Sequence, residues 1–421
     1  MTIAYTTTSV TASAALLMQM MSAGAVGGGI ASAIARTLGG RRQAEANALL
    51  VHAVIVAFAF GTLFAVAMFG GGRWLFSRMG GSGGTLEAAL TYSDWVFAGA
   101  LLVWLLNSLA AAIRGTGNMT IPAVVTCAGV LVLIPLSPLL IFGWGPIPGL
   151  GIAGGAIALL AYYAAGSLAL AAYLASTRSQ LRASTAGIGL RWSLFRNILG
   201  VGLAGAVSTV ATNLSIGAAT TLTGAFGAAA IAGYGTAARL EYLLVPLVFG
   251  LGAPLVAMVG ACIGAGNPQR ALKATWIGAG IAAALTETIG VLAAAFSRPW
   301  LRLFDDDPLM IEAGTVYLQT VGPFYGFFGV GLLLYFASQG AGRLFWPVTA
   351  NILRLVVAAL GGWLAVRLGG SLFHVLAAQA GALVVYGVVS AAAIAGGAWF
   401  GPLRWPTQGQ RPDARSRLPI R

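Results

Sequence analysis

The chain has 421 residues, 58% of them hydrophobic and 8% charged, with a mean hydropathy of +0.88. A water-soluble protein of this size needs far more charge to cover its surface, so a soluble enzyme or binding domain is excluded. The net charge of +13 is scattered between apolar runs rather than gathered in one basic stripe, which argues against a nucleic-acid partner.

Sixty glycines, with many alanines and serines, suit helices that approach each other closely in lipid. Spans need roughly 20 apolar residues. Such runs occur at Thr8–Ala35, Ala48–Gly70, Asp94–Ile113, Ile121–Phe142 and Ile152–Leu174. After a polar, basic stretch they resume at Ile198–Leu222, Ala229–Ile263, Ala274–Phe296, Ala313–Ser338, Phe345–Val366 and Leu372–Phe400. The reading is an all-α polytopic membrane protein. It has an N-terminal lobe at 1–175, a linker at 176–197, a C-terminal lobe at 198–400 and a disordered basic tail at 401–421. The first run lacks a basic flank and leads into further spans, so it is not a cleavable signal peptide.

Cys127 and Cys262 lie in apolar runs without CxxC spacing and read as small core residues. His52 and His374 are isolated, so neither a metal site nor a cofactor is expected. Trp74 and Trp144 fall at expected membrane interfaces. Prolines 135 and 138, and prolines 246 and 254, are expected to kink their helices.

Arg114–Pro122, Arg-Gly-Thr-Gly-Asn-Met-Thr-Ile-Pro, has a twin at Gln339–Pro347, Gln-Gly-Ala-Gly-Arg-Leu-Phe-Trp-Pro, 225 positions later. The same offset carries Gly39 onto Gly264, Glu87-Ala88 onto Glu312-Ala313, and Tyr92 onto Tyr317. It also carries Gly115, Gly117 and Pro122 onto Gly340, Gly342 and Pro347. Agreement in separate blocks without a net gap makes the halves parallel repeats, two pseudo-symmetric bundles. The twin stretches read as hinge-like connections. Ile198–Leu222 maps to positions before Met1, so eleven spans are visible of an expected twelve. An opening helix encoded upstream of Met1 is the favoured explanation, a genuine variant the other.

Of the 23 Lys and Arg, sixteen fall in one set of connections, including the linker and tail, and five in the other. The positive-inside rule makes the first set cytoplasmic, with the C-terminus. Asp305-Asp306-Asp307 is then a solvated outer loop.

The chain resembles the multidrug and toxic compound extrusion (MATE) transporters. The resemblance rests on the run Ala33-Ile34-Ala35-Arg36-Thr37-Leu38-Gly39-Gly40 with Ala44 and Ala46, and on Arg114-Gly115-Thr116-Gly117-Asn118. Further support comes from the runs beginning Pro138-Leu139-Leu140, Gly149-Leu150-Gly151 and Gly264-Ala265-Gly266. It implies two six-helix lobes around a cleft that opens alternately to either side. It also implies export of organic, often cationic, drug-like compounds against protons or sodium across the cell's inner membrane. No obligate protein partner is implied.

The familiar coupling sites are missing. Many relatives carry Asn and Asp before the Pro-Leu-Leu run, where Leu133 and Ser137 stand here. Others carry acids on the seventh and tenth family helices, and the matching runs hold none beyond Glu312 at an edge. Three acids remain as coupling candidates, because an ionisable group in a span is costly. Glu241 either couples or anchors the lobe. Arg239 stands two positions away, and such neighbours do not share a helix face. Glu287, between two threonines, is either a proton carrier or a neutral hydrogen-bonded group. Asp94 begins its span and also reads as a cap. Arg239, Asn107, Asn213, Tyr317, Gln319 and Tyr335 are candidates to line the cleft, with interhelical glue as the alternative. The rivals are a lipid-linked glycan flippase, disfavoured because only Arg239 and Arg354 lie within spans, and an inactive remnant. An intramembrane enzyme lacks a nucleophile–base pair.

Overall fold

The computed structural model describes residues 15–78, 83–144, 147–182 and 189–399. The expected start at Thr8, the end at Phe400 and the tail at 401–421 lie outside the described residues, as does the Trp144 side chain. Among the described residues, ten helices are long and apolar enough to cross a membrane, and eleven if one bent pair counts as a single span.

The N-terminal lobe opens with α1 (Ala15–Gly39), which carries a π-helical turn at Met20–Val26. It continues with α2 (Gln43–Arg78), α3 (Gly83–Ala98), α4 (Ala100–Gly115), α5 (Thr120–Phe142) and α6 (Ile152–Ala175). A two-residue hairpin, Gly143–Trp144 against Ile147–Pro148, joins α5 to α6. The C-terminal lobe comprises α7 (Trp192–Gly224), α8 (Ala228–Gly264), α9 (Pro268–Ala295), α10 (Ser297–Arg302), α11 (Pro308–Val321), α12 (Tyr325–Ala341), α13 (Phe345–Arg367) and α14 (Leu372–Ala395).

Helix starts follow local chemistry. Asn267 and Asp307 each precede a proline and accept a backbone N–H, from Arg270 and Leu309. Ser371 and His374 form a capping box. His52 is fully buried, bonding the Ala48 carbonyl through Nδ1 and accepting the Arg191 N–H at Nε2, 3.1 Å away. It fastens the linker to α2.

Two expected spans are broken. The span through Asp94 begins at Gly83 and bends by 47° at Gly99, between α3 and α4. The span through Tyr317 passes through a 3-10 turn, Gly322–Phe324, between α11 and α12. Gly99 and Phe324 are the residues preceding α4 and α12, with ψ 8° and 9°. Their positions differ by the repeat offset of 225, so the bend of one half and the 3-10 turn of the other fall in the same register.

The twin connections are also alike. Gly117 and Gly342 turn with φ of 89° and 71°, where a side chain would be strained. Pro122 and Pro347 are each the third residue of the next helix, α5 and α13. Gly115 and Gly340, expected in the hinges, instead lie in the last turns of α4 and α12. They let those helices press against Ala31 and Val256. They are packing residues.

The lobes meet where α1 packs on α7, α8 and α12. A Cβ added at Gly39 would collide with the Ala261 backbone, and one at Gly264 with the Arg36 carbonyl. Cys262, beside this contact, is buried, whereas Cys127 is exposed on α5. The expectation that both are core residues fails for Cys127, because α5 turns its apolar side chains outward.

Candidate functional site

The C-terminal lobe encloses a polar centre. α8 supplies Glu241, α13 supplies Arg354 and α11 supplies Tyr317. Arg354 donates to one carboxylate oxygen of Glu241 at 2.9 Å, and the Tyr317 hydroxyl donates to the other at 2.7 Å. The side chains of Arg354 and Glu241 are only 9% and 17% exposed. The guanidinium also lies over the rings of Phe328 and Tyr386, at 5.3 and 5.7 Å. Tyr234 packs edge-on against Tyr317, with centroids 5.3 Å apart. Glu241, Arg354, Tyr317 and Tyr234, with Ser215 and Gln379, line a cavity of about 20 Å3, room for one water. The Gln379 amide nitrogen is buried, with no hydrogen-bond partner among the described residues.

A carboxylate removed from water needs a paired charge and full hydrogen bonding. Glu241 has both, and its partner stands 113 positions away. Arg239 is exposed and lies over the Phe304 ring at 5.0 Å, so it takes no part in this centre. Gln319, two residues from Tyr317, is on the exposed side of α11. Neither lines the cavity.

Glu287 accepts the backbone N–H of Gly326 at 2.7 Å. Gly326 is the second residue of α12, where helical N–H groups lack internal partners. Glu287 therefore stitches α9 to the broken span, beside an apolar hollow lined by Ala283, Phe327 and Val330. Glu287→Ala should lower stability by about 1–2 kcal/mol. Glu287→Gln keeps an acceptor and should melt close to wild type in detergent. Equal melting of all three proteins would remove this role. Asp94 does not begin a helix. It is exposed near the end of α3, because the helix extends back through the less apolar Gly83–Ser93 stretch.

The remaining polar candidates stand in the N-terminal lobe or on the seam. Asn107 donates to Ser22 Oγ at 2.8 Å and to Gln19 Oε1 at 3.3 Å, which also accepts the Tyr163 hydroxyl at 3.1 Å. Asn213 donates to the Thr209 carbonyl and faces Met20 of α1. Tyr335 accepts from the Gln339 amide at 2.9 Å, and that amide also donates to the Gly24 carbonyl of the opposite lobe at 2.9 Å.

This last contact belongs to a latch. Ser32 of α1 donates to the Gln339 carbonyl. The Arg36 guanidinium donates to Ser32 and, at 3.2 Å, to the Gly340 carbonyl. A cation at the exposed carbonyls of a helix C-terminus is favourable. Here the cation comes from one lobe and the helix from the other. Sequence does not single out Arg36, Gln339, Gln19 or Arg354 as site residues. Only the Arg354 position, an arginine inside a span, carries a signal.

Two helical lobes packed along a small-residue seam define a polytopic helical membrane protein. The chain matches the MatE family model over residues 3–139 and 204–364, and it belongs to that family. It is 27% identical to an FAD transporter of Shewanella oneidensis, over 80% of this chain and 76% of that protein. It is 24% identical to a probable multidrug resistance protein NorM of Thermotoga maritima, over 65% of this chain and 59% of that protein. Its fold is similar to a MOP superfamily transporter from Pyrococcus furiosus, with TM-score 0.86, 21% identity, and coverage of 91% of this chain and 86% of that chain.

Proposed function

We propose that this chain is a secondary exporter of small organic molecules, working by alternating access and driven by inward flow of protons or sodium. The observation that carries the reading is the lobe seam. Its contacts are close, and its latch is made of hydrogen bonds that can open without unfolding either lobe. The arginine-rich end, which holds the latch, is cytoplasmic by charge distribution, so the latched state faces outward. The membrane is the cell's inner membrane.

Coupling is assigned to Glu241 rather than Glu287 or Asp94. Glu241 is the buried acid with a charged partner. A proton or sodium ion arriving from outside competes with Arg354 for the carboxylate. Loading loosens the ties from α8 to α11 and α13, and so biases the lobe between its two arrangements. Transport then needs only that cation and substrate favour different states. The substrates implied by the family resemblance are organic cations, whereas the relatives' names cover both drugs and FAD.

The test uses proteoliposomes. Glu241→Gln keeps an oxygen acceptor for Arg354 and Tyr317, and the fraction that remains folded by melting in detergent should lose gradient-driven export by tenfold or more. Export by Glu241→Gln that still follows the imposed cation gradient would remove the assignment.

A further inference from the structure

We propose that the pocket between the lobes at Arg114 binds an anionic group of the exported molecule, so that the substrate class is planar aromatic anions. This rests on the exporter reading above and specifies what is exported.

Arg114 ends α4, and its guanidinium lies over the Phe249 ring of α8, in the other lobe, at 5.7 Å. Among the described residues nothing accepts a hydrogen bond from it or forms an ion pair with it. The other buried charges described in the spans are answered. Arg354 has Glu241, Arg36 has three hydrogen-bond acceptors, and Glu287 has the Gly326 N–H. Arg114 keeps its donors free in a pocket whose lining holds no acid.

Across the same pocket stands Gln339, the repeat counterpart of Arg114 at the offset of 225. Its side-chain oxygen is buried and, among the described residues, receives no hydrogen bond. The two unfilled groups are complementary to one kind of ligand. An anionic oxygen answers the guanidinium fork, and an O–H or N–H on the same molecule answers the amide oxygen. Phe249 and Phe336 meet at 5.6 Å beside them and offer an aromatic wall for a flat ring.

In the latched state the hollow is about 10 Å3, no more than a water. The group therefore binds when the lobes part at the arginine-rich end, and closure of the seam expels it. A cation in this place would face an uncompensated guanidinium.

The experiment uses the full chain in proteoliposomes. It compares export of two organic anions, carboxyfluorescein and calcein, with export of two organic cations, ethidium and rhodamine 6G. The wild type should move the anions. Arg114→Gln should reduce that movement tenfold or more, and Arg114→Lys should retain part of it. All three proteins should melt alike in detergent. Movement of cations alone overturns the anion assignment and leaves the exporter reading intact. Anion movement unchanged in Arg114→Gln overturns the site. Movement of none of the four dyes overturns the exporter reading, and this inference with it.

Discussion

Arg354→Leu should cost the folded protein about 3 kcal/mol, the lower end of the range for removing one partner of a buried ion pair. The lower end applies because Glu241 and Arg354 keep 17% and 9% exposure. The loss has two sources. Glu241 is left with the Tyr317 hydroxyl alone, and the Phe328 and Tyr386 rings lose the cation they face. Melting of the purified protein in detergent reads the effect. The double variant Glu241→Leu with Arg354→Leu should recover most of it, because an apolar pair of similar volume often replaces a buried ion pair without penalty. A single variant as stable as wild type would mean that the pair carries no structural weight. A double variant as unstable as the single would put the loss in packing rather than charge.

Gly39→Val should wedge the latched end open. The new side chain meets the Ala261 backbone of the opposite lobe, which cannot move aside as a flexible side chain would. Overpacking of this kind costs about 1–3 kcal/mol, enough to change the ratio of two states by roughly 5- to 150-fold. Cys262, adjacent to Ala261 and buried, is a built-in reporter. With the exposed Cys127 replaced by serine, a maleimide should label Cys262 faster in Gly39→Val than in the parent. Equal rates would show that the seam does not set the balance between open and closed.

Much of the fold is legible because a membrane span announces itself by length and apolarity. Among the described residues the eleven runs appear as ten membrane-length helices and one bent pair, with ends shifted by the polar first and last turns. The breaks are not legible. Gly99 looks like any glycine in a glycine-rich chain, and Gly322-Pro323 looks like an ordinary kink. The site reads less well. Sequence shows that Glu241 and Arg239 point apart but says nothing about which residue from α13 turns toward the carboxylate. Glu287 draws attention because an acid in a span is costly, and its partner is a backbone N–H that exists only because the span is broken. Gln339 and Arg114 read as the ends of turns, since their side chains share a pocket only after the lobes assemble.

The shared break has a historical consequence. If the bend before α4 and the 3-10 turn before α12 had arisen separately, nothing would hold them to one register. Their agreement at Gly99 and Phe324 is the pattern that an interruption present before duplication would leave. Arg354 has no such counterpart, because the matching position is Gly129. The interruption is thus common to both copies, whereas the charge that Glu241 answers belongs to one copy alone.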